Sequence, residues 1–208
     1  MKLLLCYYVF DSFSRTFMLG KQAKVLHDGH LESLLVFAWN TRNPVRNEVL
    51  VLLSVKAGLR ASEIAGLDWD MVLGPGGEIG DTLEVRDSIA KKKSGRRIPL
   101  HPDLRNALLR WHSEHSTTVP IIVSSRGARM HPVSIVNWFA NAYRALGLKG
   151  CSSHSGRRTF ITRAARVVHQ AGGSLRDVQL LAGHRSIQTT QRYIDGDSDA
   201  QRRLVRLI

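Results

Sequence analysis

The sequence is poor in several things that would each point to a different class of protein. It has two cysteines, Cys6 and Cys151, in 208 residues, too few for a disulfide framework and in keeping with a reducing cytoplasm. No apolar run reaches the roughly 20 residues that cross a bilayer. The opening stretch "MKLLLCYYVF" is cut short by Asp11 without a convincing small-residue cleavage site, so it reads as a terminal arm packing on the core. Met18, just ahead of basic helix-like sequence, is an alternative start. A nucleotide-binding loop is missing too, because "GPGGEIG" lacks the Lys-Ser/Thr pair and the strand-to-helix setting. Acidic residues are scarce: 17 Asp and Glu stand against 30 Lys and Arg, a net charge of +13. A surface that basic attracts polyanions, and nucleic acid is the commonest.

With 43% hydrophobic residues the chain can fill one sizeable core. Leu31, Leu34, Leu35 and Ala38 recur at helical spacing. "NPVRNEVLVLLSVKAG" is a second helix, with Asn43 as its cap, Pro44 at its first position and Gly58 at its close. Between Gly74 and Leu100 the pattern turns to β: "TLEVRDSIA" alternates, "KKSG" turns and "RRIPL" returns. Helices resume with Leu104, Ala107, Leu108 and Trp111 on one face, then Ile135, Phe139, Ala142 and Leu146 on another. Ser153 is the expected cap of the helix through "HSGRRTFITRAARVV", Ser174 with Asp177 forms a capping-box pattern, and Ser186 caps the last short helix. The tail "AQRRLVRLI", about 199–208, puts Ala200, Leu204 and Ile208 on one face. The expected class is α+β, mostly helical, with one small antiparallel hairpin.

Four stretches carry chemistry. In "AGLRASEIAGL", Arg60 lies just past a helix end, before a new cap at Ser62, where its guanidinium can grip two phosphate oxygens with Glu63 to orient it. In "HSGR", His154 and Arg157 are one helical turn apart, a proton carrier beside a phosphate fork. "LAGHRSIQTTQRYID" sets Tyr193 nine residues after His184 in a polar segment that displays it. A phenol attacks only when a base takes its proton or cations stabilise the phenolate. "AKKKSGRRIPL" supplies Lys91, Lys92 and Lys93 at a turn, where one ammonium can protonate a leaving oxygen while the others attract phosphate. Cys151 with His154, and His112 with Glu114 and His115, do not reach a metal-ligand spacing. No metal or cofactor is expected.

Taken in order, these stretches resemble the catalytic domain of the tyrosine recombinase (phage integrase) family, over about residues 20–195. The resemblance implies that the chain cuts and rejoins double-stranded DNA through a 3′-phosphotyrosyl intermediate. It implies Arg60 and Arg157 on the scissile phosphate, His154 in proton transfer, His184 donating to a non-bridging oxygen, Tyr193 attacking and Glu63 supporting from behind. Lys91, eight residues before Pro99 as in the family's hairpin, is the implied general acid. Lys92, Lys93, Arg96, Arg97, Arg158 and Arg185 are the candidate DNA contacts. It further implies a homo-oligomer, a tetramer on paired sites joined through the C-terminal tail, with an accessory protein as a further candidate partner. A bacterial or mobile-element origin and a cytoplasmic setting go with it. Two departures are visible. Gly156 stands where the family more often has Leu, which should alter packing more than chemistry. About 40 residues precede the second helix, so the expected layout is an arm over 1–20 and a catalytic domain over 21–208, without the family's separate DNA-clamping domain. Type IB topoisomerase-like relaxation and non-catalytic DNA binding remain the alternatives.

Overall fold

The computed structural model describes residues 23–115, 119–193, 205, 206 and 208. The arm expected over 1–20 and nearly all of the tail, including Ala200 and Leu204, lie outside them.

Two helices in contact open the domain, α1 (Asp28–Trp39) and α2 (Pro44–Val55). Leu31, Leu34 and Ala38 of α1 are buried as their spacing predicts. Helix α2 is buried along most of its length, Arg46, Asn47 and Ser54 included, and forms the central post of the core, packed by α1, by α4 (Pro102–His115) and by α6 (Ser155–Val167). Such a pattern is the mark of a helix with no solvent face. Asn43 occupies the cap position of α2, yet its side chain makes no capping bond among the described residues; Pro44 at the first position removes one of the unpaired donors instead.

A short α3 (Ala61–Gly66) and a 3₁₀ turn (Trp69–Met71) lead to the sheet. Strand β1 (Thr82–Val85) pairs antiparallel with β2 (Arg96–Pro99), in the register Thr82 to Pro99 and Val85 to Arg96. The expected strand through "RDSIA" stops at Val85, and residues 86–95 form the connecting turn. Leu83, Val85 and Ile98 are buried on the face toward the core. Leu104, Ala107, Leu108 and Trp111 of α4, and Ile135, Phe139 and Ala142 of α5 (Pro132–Ala145), are buried as predicted. Helices α7 (Leu175–Ala182) and α8 (Ile187–Gln191) follow, with the Ser174–Asp177 capping box formed as predicted. His154, rather than Ser153, stands at the cap position of α6, and Arg60, rather than Ser62, at that of α3. Ser186 does occupy the cap of α8, but its hydroxyl turns to the Gln188 side chain.

Two glycines let α2 and α6 touch. Gly58, at φ +64°, turns the chain after α2 in a conformation that side chains resist, and a Cβ there would run into the Phe160 ring. Gly156 lies against α2, where a Cβ would stand 2.2 Å from Ser54 Oγ. The departure at this position is therefore matched by a close helix contact, and it brings Arg157, the next residue, up to the end of α2. Gly156→Ala is expected to destabilise the fold by about 1–3 kcal/mol through overpacking, with part of the loss recovered by Ser54→Ala. Urea denaturation of the three variants checks this; equal midpoints for Gly156→Ala and the parent would contradict the contact.

Candidate active site

Helix α3 starts with an ion pair rather than a hydroxyl cap. Glu63 accepts the Arg60 backbone N–H at 3.0 Å and the Arg60 guanidinium at 2.6 Å. Its carboxylate is fully buried and takes two further bonds from Arg96 on β2, at 3.2 and 3.0 Å. Burial alone would raise this carboxyl; the hydrogen bond and charge of Arg96, joined by Arg60, outweigh it and hold Glu63 below the usual carboxylate range. Arg96 also donates to the Leu181 carbonyl at 2.8 Å, and its side chain is only 5% exposed. It was expected among the DNA contacts. It instead turns inward, because the buried carboxylate is the stronger partner, and it ties β2 to the end of α7.

Arg157, in the first turn of α6, is 4% exposed. Its guanidinium donates to the Gly58 carbonyl at 2.7 Å and the Ala182 carbonyl at 2.6 Å, and lies 3.1 Å from His184 Nε2. These bonds use three of its five N–H groups among the described residues. Burial, then repulsion from Arg60, lowers its pKa to about 10, so it stays charged at neutral pH.

His184 follows Gly183, the left-handed C-cap of α7. Gln179 holds its backbone on both sides: the Gln179 carbonyl accepts from His184 N at 3.1 Å and its side-chain amide donates to the His184 carbonyl at 2.8 Å. Burial first, then the charges of Arg157, Arg60 and Arg96, bring the imidazole down to about 4. It is neutral at pH 7. Its ring stacks on Tyr193, with centroids 5.4 Å apart, and Arg158 approaches the Tyr193 ring to 5.7 Å, within cation–π range. Tyr193 is fixed through its backbone as well, N–H to the Thr190 carbonyl at 3.0 Å and carbonyl from the Thr162 hydroxyl at 3.4 Å.

Arg60, His154, Arg157, Arg158, His184 and Tyr193 line one cleft of about 500 Å³. His154 is exposed at the N-terminus of α6, an end that favours anions. Lys91 opens onto an adjoining hollow of about 340 Å³, which shares Arg60, His184 and Thr189 with the cleft. The turn that carries it passes through left-handed conformations at Lys92 (φ 61°) and Lys93 (φ 51°), uncommon for residues with a Cβ. Arg185 donates to the Lys92 carbonyl, so hairpin and His184 segment are joined. Lys92 and Arg185 line this hollow, and they, Lys93 and Arg97 are exposed. Ser152, Thr189 and Arg192 also line the cleft and were not singled out in the sequence; neither were Gln179 and Thr190, whose roles arise from contacts only the folded chain makes.

The arrangement concentrates positive charge around one buried carboxylate. It can hold a tetrahedral oxyanion against Arg60 and Arg157 with a phenol oxygen at hand. Removing the Glu63 charge by Glu63→Gln leaves Arg96 buried without its counter-ion, and is expected to cost about 3–5 kcal/mol in urea denaturation. His184 should show no titration between pH 5 and 8 by NMR of its ring protons, and a midpoint above 6 would contradict its environment. Because its pKa falls from 6.5 to about 4 on folding, the unfolded chain binds a proton in that window that the folded one refuses. Stability should therefore decline as pH drops from about 6.5 toward 4, with Glu63 adding to the loss at the acid end.

The pattern of the Phage integrase family matches residues 24–199. A tyrosine recombinase XerC of Nitrobacter winogradskyi is 33% identical over 162 residues, 74% of this chain and 47% of that protein. The Brucella suis biovar 1 XerC is 28% identical over 158 residues, again 74% and 47%. The chain thus spans about half the length of the curated relatives it matches. Among solved structures, XerA recombinase superposes with a TM-score of 0.70 at 21% identity, over 88% of this chain and 64% of that one. XerH site-specific recombinase, in a post-cleavage complex with palindromic difH substrate, gives 0.69 at 19% identity, over 88% and 52%. These likenesses establish the fold, a tyrosine recombinase catalytic domain. With the sequence pattern covering most of its length, the chain belongs to the phage integrase family.

Proposed function

We propose that this protein is a site-specific DNA recombinase that cuts and rejoins double-stranded DNA through a covalent phosphotyrosine. The observation that carries the reading is the convergence of Arg60, Arg157, His154, His184 and Tyr193 on one cleft. In the reaction, Arg60 and Arg157 neutralise the scissile phosphate. His154 accepts the phenol proton as the Tyr193 oxygen attacks phosphorus. The bond from phosphorus to the 5′-oxygen breaks, and Lys91 gives that oxygen its proton. The products are a 3′-phosphotyrosyl linkage and a free 5′-hydroxyl. Attack by a 5′-hydroxyl reverses every step, and one phosphoester bond replaces another throughout, so rejoining needs no ATP. Lys92, Lys93, Arg97, Arg158 and Arg185 supply contacts to the DNA backbone, which position the duplex without reading its sequence. Strand exchange calls for several copies on paired sites. The amphipathic tail is the segment proposed to link them, and an accessory protein is a further proposed partner. The XerC, XerA and XerH proteins support this reading by their names and, for XerH, by its post-cleavage complex.

The test is a denaturing gel of the protein incubated with nicked duplexes. A protein–DNA adduct is expected from the parent and not from Tyr193→Phe; adduct from both would remove Tyr193 as the nucleophile. EDTA is expected to leave the adduct yield unchanged. Lys91→Ala should slow cleavage by roughly 10²–10⁴-fold, the range for a lost general acid. A duplex with sulfur in place of the bridging 5′-oxygen should restore most of the rate, because a thiolate leaves without a proton. Failure of that rescue, with rescue of Lys92→Ala or Lys93→Ala instead, would move the role along the turn.

A further inference from the structure

His184 is held at its two ring nitrogens by groups of unequal freedom. Nε2 lies 3.1 Å from Arg157 Nη2. A guanidinium has no acceptor, so Nε2 takes this bond through its lone pair and carries no proton. The same Nη2 gives its other N–H to the Ala182 carbonyl at 2.6 Å. In a neutral ring the proton is then on Nδ1, 3.0 Å from Thr190 Oγ1, which accepts it. Thr190 is fully buried in α8.

This tautomer has the wrong polarity for the role that a phosphate-binding His184 must fill. A non-bridging oxygen and a bare Nε2 are both acceptors and repel. Gaining a second proton is not the way out, because burial first, and then the charges of Arg157, Arg60 and Arg96, oppose an imidazolium here against the smaller pull of Glu63. Exchange of the ring proton is. A hydroxyl, unlike a carbonyl or carboxylate, serves either sign of partner by rotating its O–H.

We propose that Thr190 is a positioning residue whose hydroxyl lets His184 change tautomer with the ring in place: Nδ1–H with Nε2 accepting from Arg157 in the empty cleft, and Nε2–H facing a phosphoryl oxygen in the filled one. The proton balance is neutral. Nδ1 releases its proton to water, Nε2 takes one up from water, and the Thr190 O–H turns to donate to Nδ1. Arg157 Nη2–H, no longer needed by the ring, turns to the same phosphoryl group. One exchange therefore delivers two donors. The inference rests on the reading of the cleft as a phosphodiester site.

The test is ¹⁵N-histidine NMR, which distinguishes the tautomers by their ring-nitrogen shifts, on the parent, Thr190→Val and Thr190→Ser. Orthovanadate serves as the phosphoryl probe, so the readout does not require DNA cleavage. The parent is expected in the Nδ1–H form when free and in the Nε2–H form with vanadate, and Thr190→Ser should behave likewise. Thr190→Val keeps Arg157 against Nε2 and so should stay in the Nδ1–H form when free, but it offers no O–H to a bare Nδ1 and should fail to complete the exchange with vanadate. Its adduct formation on nicked duplex should fall by about tenfold or more, the lower end of what losing a ring-orienting partner costs, and Thr190→Ser should restore it. A free parent already in the Nε2–H form, a tautomer unmoved by bound vanadate, or a Thr190→Val indistinguishable from the parent overturns the proposal. Should Thr190→Val fail to fold, the parent and Thr190→Ser spectra decide alone. If no Tyr193-dependent adduct forms while vanadate still exchanges the tautomer, the recombinase reading fails and this one stands.

Discussion

The domain turns on a carboxylate buried between two guanidinium groups. Glu63 has no access to solvent, and its oxygens are satisfied by Arg60 on one side and Arg96 on the other. A lone buried carboxylate would be expensive, and a lone buried arginine equally so; together they form a joint that neither can leave. The joint gathers three parts far apart in the chain: the start of α3, the second strand of the hairpin and, through Arg96 and the Leu181 carbonyl, the end of α7. Arg60 reaches the cleft with its direction already chosen.

Around this joint the electrostatics are lopsided. Arg60, Arg96 and Arg157 outnumber Glu63, the one buried acid among the described residues, and the excess falls on the cleft floor. Arg157 tolerates burial because main-chain carbonyls replace part of its lost hydration. Burial, and after it the same excess, keeps His184 unprotonated at neutral pH, so the cleft is charged by its arginines and the imidazole is left to act through hydrogen bonds.

Much of this was legible in the linear sequence. The apolar stripes of α1, α4 and α5 named their buried residues, and chain order brought Arg60, His154, Arg157, His184 and Tyr193 to notice before any geometry. What could not be read are relations between distant segments. Arg96 and Arg97 are adjacent and chemically alike, yet one faces a buried carboxylate and the other solvent; only the strand register decides which. Gly156 carries no sign that Ser54 will press against it. Asn43 and Ser153 look like helix caps by type, but Asn43 makes no capping bond among the described residues and the cap position of α6 falls to His154. Thr190 resembles Thr189 until α8 buries one of them against His184.

Main-chain oxygens take two of the three bonds that hold the Arg157 guanidinium, at Gly58 and Ala182. Peptide carbonyls are common to every sequence that keeps the backbone path, so this anchor depends on side-chain identity only where the path itself does, as at Gly58. In the proposed reaction that separates two inheritances. The grip on phosphate belongs to the fold, while the residues on the rim that meet the DNA are free to vary around it. A change on the rim would then alter how firmly the duplex is held without rebuilding the part that cuts.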